Sequence, residues 1–200
     1  LRYNFNKKQA IDENQQLDFH SPYGCSKGTA DQYFHDYARI YGLKTVVLRQ
    51  SCIFGENQFG VEDQGWVAWF IIAFLLKKNV TIYGNGKQIR DLLYVDDLVN
   101  LFYQIYLNKN KCSGEVFNVG GGFKNTLSLN ELIKILKQKY KLNTKIKFGE
   151  KRLGDQNIFV SNNNKIIKFT KWKPSTTCHS GIQKVFDWSK DNLDIIKKII

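Results

Sequence analysis

Two hundred residues, 42% of them hydrophobic, suffice for one packed domain or a domain with an appendage. The formal net charge of +12 raises nucleic acid as a partner, yet the lysines are scattered among Asn and Ile. The densest group, Lys134 to Lys147, reads as the solvated face of a helix and a strand, so no nucleic-acid binding is expected, whereas a basic surface suits an anionic small substrate. The longest apolar run, Trp66 to Leu76, is too short to cross a bilayer, and no membrane partner is expected.

The four cysteines, Cys25, Cys52, Cys112 and Cys178, form no Cys-x-x-Cys pair, and His20, His35 and His179 show no ligand spacing. Reduced thiols in a cytoplasm and no metal are the expectation. No signal peptide is visible in the polar start, and Met is absent even from position 1, so the chain is expected to be a piece of a longer one.

Residues 1 to 21 read as a loop. Ser21 caps a helix from Tyr23 to Tyr41, with Pro22 at its first position, Gly42 as its stop, and Ala30, Tyr33, Phe34, Tyr37, Ala38 and Tyr41 at helical spacing. Lys44 to Leu48 is a β-branched run and hence a strand. A loop from Gln50 to Gln64 precedes a second helix, Gly65 to Lys77. Val80 to Tyr83 is a strand ending in the turn Gly84-Asn85-Gly86, and Leu92 to Val95 a short extended piece. Asp96 and Asp97 are expected to cap a helix through Leu107.

A strand from Glu115 to Val119 closes in the turn Gly120-Gly121-Gly122. Ser128 to Tyr140 is an amphipathic helix with Leu129, Leu132, Ile133, Leu136 and Tyr140 inward. Lys145 to Phe148 is a strand, a loop follows through Asp155, and Asn164 to Phe169 and Ser180 to Asn192 are the last helical stretches. Alternating strands and helices argue for α/β layering with a mainly parallel sheet. A Gly-x-Gly-x-x-Gly fingerprint is absent, and no helix opens at Gly120 to Gly122, which reads as a turn.

Tyr-x-x-x-Lys occurs three times: Tyr3/Lys7, Tyr23/Lys27 and Tyr83/Lys87. Only Tyr23 and Lys27 share a helical context, where positions four apart lie on one face. An unassisted phenol titrates at about 10, too high for a base near neutrality, and a neighbouring ammonium stabilises its phenolate. Spacing alone favours the plainer reading, a helix-start Tyr and a solvated Lys.

Ser21-Pro22-Tyr23-Gly24-Cys25-Ser26-Lys27-Gly28 followed by Asp31-Gln32-Tyr33 resembles the extended short-chain dehydrogenase/reductase family, in its nucleotide-sugar epimerase/dehydratase branch. Leu48 to Gly55, Gly84 to Asp91, Val95-Asp96-Asp97, Phe117 to Gly121 and Arg152 to Gln156 resemble further family stretches in the family's order. Gln58 to Phe70 is similar to the CDP-paratose 2-epimerase (CDP-tyvelose epimerase) subgroup, and the resemblance covers essentially the whole chain.

The resemblance implies the carboxyl-terminal part of a Rossmann-type doubly wound sheet plus a small α/β substrate-binding domain. Residues 1–80 would be the remainder of the NAD-binding domain and 81–200 mainly the nucleotide-sugar domain, with segments interleaved. It implies Tyr23 as the base and Lys27 as its partner, both also meeting NAD, with Gln50, Ser51, Cys52 and Ile53 beside the nicotinamide. Arg90 and Arg152 would grip the substrate's diphosphate, for which a planar guanidinium is apt. Asp155 would accept from a ribose hydroxyl, Tyr83 would stack near the base, and Gln64 and Trp66 would line the pocket. Cys52 has no adjacent base and reads as a buried thiol.

Departures are the missing glycine-rich loop, the missing Ser/Thr partner of the tyrosine, and Asn162 where an Asp is usual. The implied activity is NAD-dependent epimerisation of a nucleotide-activated sugar through a transient ketone. A 4,6-dehydratase or reductase of the same superfamily and an inactive truncated remnant are the alternatives. The helix carrying Tyr23 helps form a dimer interface in the family, which implies a homodimer or higher homo-oligomer for the complete protein.

Overall fold

The computed structural model describes residues 1–200, the side chain of Lys8 excepted. After a three-ten turn at Lys7–Gln9, α1 (Pro22–Tyr41) begins where Ser21 Oγ accepts the Gly24 N–H at 3.0 Å and ends at Gly42, whose φ of 65° requires the left-handed region. Next come β1 (Val47–Gln50), β2 (Cys52–Phe54), α2 (Trp66–Leu75), β3 (Val80–Tyr83) and β4 (Ile89–Tyr94). They are followed by α3 (Val95–Leu107), α4 (Lys109–Cys112), β5 (Val116–Val119), β6 (Thr126–Ser128) and α5 (Leu129–Gln138). The chain ends with β7 (Ile146–Gly149), β8 (Ile158–Phe159), α6 (Asn164–Thr170), α7 (Cys178–Asp191) and α8 (Leu193–Ile199).

The strand pairs β1–β5, β2–β4, β3–β7 and β4–β8 are parallel, and β4–β6 is antiparallel. The α/β layering expected from sequence is therefore present. β4 is the shared wall of two cores. Its alternating side chains send Leu92 and Tyr94 into one core with α2, α5 and α7, and Leu93 into the other with Leu98, Leu101, Phe117 and Trp172. α2 is apolar all round and buried accordingly, from Val67 to Phe74. α5 carries a capping box between Ser128 and Glu131, and Arg2 holds that glutamate at 2.7 Å, tying the start of the chain to the core that α5 helps build.

Several expected boundaries move. β2 lies inside the expected loop 50–64, because Cys52 to Phe54 find parallel partners in Leu92 to Tyr94. β1 starts later than Lys44 and β4 starts earlier than Leu92, each following its backbone partner. β6, β8 and α8 are too short for periodicity to reveal. Tyr94, not an aspartate, occupies the cap position of α3; Asp97 instead accepts from Ser175 and Thr176. The aromatic stripe of α1 is largely exposed, Tyr33 at 62% and Tyr37 at 46%, and the helix buries only Gly28 and Asp31 among its described residues.

Candidate active site

A cavity of about 200 Å³ opens on the α2 side of β4. Strand alternation puts Arg90 on the face that also carries Leu92 and Tyr94, and Gln88, just before the strand, lines the same wall, so the polar end of β4 continues the core face into the cavity. Tyr83 enters from the end of β3, Cys52 from the start of β2, and Trp66 from the first turn of α2. Arg152 and Asp155 come from the loop between β7 and β8, whose bend at Gly154 uses a φ of 74°. The structure thus brings together Cys52, Trp66, Tyr83, Arg90, Arg152 and Asp155 from segments far apart in the chain.

Arg90 Nη2 lies 2.7 Å from Asp155 Oδ1, and Gln88 Nε2 donates to Asp155 Oδ2 at 3.1 Å and to the Tyr83 carbonyl at 2.9 Å. Asp155 is therefore braced on both oxygens. The Arg152 guanidinium lies 4.1 Å from the centroid of the Tyr83 ring, and its Nη2 is 2.6 Å from Asp63 Oδ1. Trp66 Nε1 donates to Cys52 Sγ at 3.4 Å. Burial pushes the Cys52 thiol up, which fits an inert buried sulfur rather than a nucleophile.

Tyr23 and Lys27 do meet: Lys27 Nζ is 5.4 Å from the Tyr23 ring centroid, one turn along α1. They line neither this cavity nor the broader depression of about 810 Å³ between α1 and Ser113-Gly114, and Tyr23 is 72% exposed. α1 runs back along β1, held by the Arg49–Asp31 ion pair at 2.7 Å, so Tyr23 lies at the end where β1 finishes. That carboxyl end of a parallel pair is where α/β folds place ligands. Gln50 is exposed there, and Ile53 packs toward the second core.

Ser51 is held from beneath. Its Oγ donates to the Asp91 backbone carbonyl at 2.9 Å and to the Asp91 carboxylate. The same carboxylate accepts the backbone N–H groups of Gly122 and Ser161, at 2.9 and 3.2 Å. Burial raises the Asp91 carboxyl above the ordinary range, and these donors counter it. Asp91 therefore welds the β1–β2 corner to the glycine turn and to Ser161.

Gln64 is not part of the cavity wall; it stands exposed at the base of a turn whose tip sends Glu62 into the wall. The reason is backbone pairing of Val61 with Gln64, which turns the two residues between them toward Tyr83 and Arg152. Sequence reasoning missed Glu62, Gln88 and Asp91. Gln88 was within reach, since it lies two positions before Arg90 in the extended approach to β4. Asp91 gives no such signal, because its donors come from three distant segments.

Parallel strands under helical crossovers, with a cavity presenting two guanidinium groups and an aromatic ring, define an α/β protein suited to a phosphorylated ligand. The chain belongs to the NAD dependent epimerase/dehydratase family, whose sequence profile matches residues 4–120. It is 45% identical over 188 residues to CDP-paratose 2-epimerase of Salmonella typhi, spanning 92% of this chain and 56% of that protein. Among solved structures, UDP-glucose 4-epimerase of Thermotoga maritima superposes with a TM-score of 0.78 at 30% identity, over 88% of this chain and 55% of that one. dTDP-glucose 4,6-dehydratase of Bacillus anthracis, solved with NAD, gives 0.83 at 25% identity over 98% and 60%. The chain thus spans little more than half the length of the proteins it matches.

Proposed function

We propose that this chain carries the substrate cavity and the acid/base pair of a nucleotide-sugar epimerase acting as CDP-paratose 2-epimerase does, by oxidation to a ketone and reduction from the other face. The observation that carries the reading is the convergence of Tyr83, Arg90, Arg152 and Asp155 on one cavity, in a chain 45% identical to that enzyme. Identity to the dTDP-glucose 4,6-dehydratases is lower, 30% for the Shigella flexneri enzyme, which favours the epimerase over the dehydratase reading.

In this reading Tyr83 meets the base, while Arg152 and Arg90 face the diphosphate, whose oxygens match a guanidinium fork. Asp155, braced by Arg90 and Gln88, receives a ribose hydroxyl on a remaining lone pair. The Tyr23 oxygen takes the proton of the sugar hydroxyl and returns it after the face exchange, with Lys27 holding positive charge beside it. When bound, NAD supplies the hydride acceptor and donor. What supports a fit to its nicotinamide end is that Tyr23 and Lys27 are paired and open to solvent at the end of α1 toward which β1 runs. They do not supply a pyrophosphate seat, since no Gly-x-Gly-x-x-Gly occurs among the 200 residues.

The proposal extends to a cytoplasmic setting, consistent with cysteines that are free thiols, and to a homo-oligomer, supported by the exposed Tyr33, Tyr37, Ile40 and Tyr41 on α1. Among the described residues no helix is long and apolar enough to cross a membrane. The test is Tyr23→Phe in the protein as its whole gene encodes it, assayed by product analysis with CDP-, UDP- and dTDP-sugars. Loss of turnover by about a hundredfold or more is expected for removal of a proton-transfer group. Undiminished turnover overturns the assignment.

A further inference from the structure

Val61 and Gln64 exchange two backbone hydrogen bonds, Val61 N–H to Gln64 O at 2.9 Å and Gln64 N–H to Val61 O at 3.0 Å. Glu62 and Asp63 are thereby the two tip residues of a tight turn. Both carboxylates reach groups of the cavity. Glu62 Oε1 accepts the Tyr83 hydroxyl at 3.1 Å, and Asp63 Oδ1 stands 2.6 Å from Arg152 Nη2. Arg152 in turn covers a face of the Tyr83 ring.

The two arginines are not held alike. Arg90 is 19% exposed, donates also to the Ile89 carbonyl, and pairs with an aspartate that Gln88 braces from the other side. Arg152 is 41% exposed, and its partner Asp63 sits at 84% on the turn tip. An exposed pair is weakly held and screened by salt. A diphosphate offers a guanidinium more oxygens and more charge than a single carboxylate. The same displacement would also uncover the Tyr83 face, because one guanidinium makes both contacts.

We infer that Asp63 is an internal stand-in for a phosphate: in the ligand-free protein it holds Arg152 across Tyr83, and a nucleoside diphosphate enters by taking Arg152 from it. The inference rests on the reading of this cavity as a nucleotide site. It makes Asp63 a competitor of the ligand, so neutralising Asp63 tightens binding although Asp63 itself touches the binding arginine.

The test is calorimetric titration of the 200-residue chain with CDP. Asp63→Asn keeps the shape and removes the charge; it binds CDP about two- to fivefold tighter than wild type, the range an exposed ion pair commands. Arg152→Ala binds about tenfold weaker, as expected for a lost charge-assisted contact. The double variant binds no tighter than Arg152→Ala, because the competitor has lost its object. Asp194→Asn, at an exposed site on α8, leaves the affinity unchanged and controls for net charge. Equal or weaker binding by Asp63→Asn, or a gain that persists without Arg152, overturns the inference while leaving the cavity reading intact. A wild-type affinity insensitive to Arg152→Ala, or no CDP binding by any variant, overturns the cavity reading and this inference with it.

Discussion

α1 and α2 differ by a factor of two in length and in the opposite sense in burial. α1 has 20 residues, caps at both ends and an aromatic stripe, yet buries Gly28 and Asp31; α2 has 10 residues, no side-chain cap, and buries everything from Val67 to Phe74. The difference separates what a helix owes to its own sequence from what it owes to neighbours. α1 is specified locally, by Ser21, Pro22 and Gly42. α2 is specified by packing, between α5, α7 and the strands of the first core. β1 repeats the contrast at sheet level: among the described residues it pairs with β5 alone, while β4 meets partners on both edges. An exposed aromatic helix face beside a free parallel edge has the character of an interface. The Tyr23–Lys27 pair belongs to that open region, and the cavity of Tyr83, Arg90 and Arg152 belongs to the packed one.

The largest test of this contrast is truncation of a side chain in each helix. Phe74→Ala, fully buried in the first core, lowers unfolding free energy by about 3–5 kcal/mol. Tyr33→Ser on α1 stays within about 0.5 kcal/mol, as an exposed substitution should. Urea denaturation of both variants measures it. A Tyr33 variant as damaging as the Phe74 variant would show that α1 is packed after all.

Glycines sharpen the same comparison. A Cβ at Gly121 would sit 2.0 Å from the Leu92 carbonyl oxygen, a backbone atom inside the sheet. Gly121→Ala therefore destabilises by about 1–3 kcal/mol, through forced backbone shifts. A Cβ at Gly28 would meet the Phe19 ring at 2.1 Å, but that ring is an exposed loop side chain that can swing away. Gly28→Ala also gains helix propensity of about 1 kcal/mol, so thermal unfolding of this variant stays close to wild type.

The same division explains what was legible in the sequence. α1, α5, β3 and the Tyr23–Lys27 pair follow from caps and periodicity acting over a few residues. The cavity residues Arg90 and Arg152 were found by resemblance, and their meeting needs the β4 and β7–β8 connections that no local pattern encodes. β2 hid in an apparent loop because its partner lies forty residues on, in Leu92 to Tyr94. Glu62 lines the cavity and Gln64 does not, since the two-residue turn between Val61 and Gln64 points its tip toward Tyr83 and Arg152. The stripe on α1 is legible as helical spacing, but periodicity reports amphipathicity and not the presence of a partner, and in this chain the stripe is largely exposed.

The smallest expected effects concern two aspartates six positions apart with opposite shifts. Burial alone would raise the Asp97 carboxyl, but hydrogen bonds from Ser175 and Thr176 hold it below the ordinary carboxylate value. Its contribution to stability is present above the unfolded value of about 3.9 and is lost as pH falls through the lower folded value. Asp97→Asn therefore costs about 1–2 kcal/mol at neutral pH, and the gap to wild type narrows below about pH 4. Asp91 has the reverse sign: burial raises it in the fold, so its contribution is fully present below the unfolded value and is lost as pH rises through the folded one. The gap between wild type and Asp91→Asn consequently widens toward acid. Urea titrations at pH 7 and pH 3 read both slopes at once. Parallel slopes for the two variants would mean that the donors on Asp91 outweigh its burial, as those on Asp97 do.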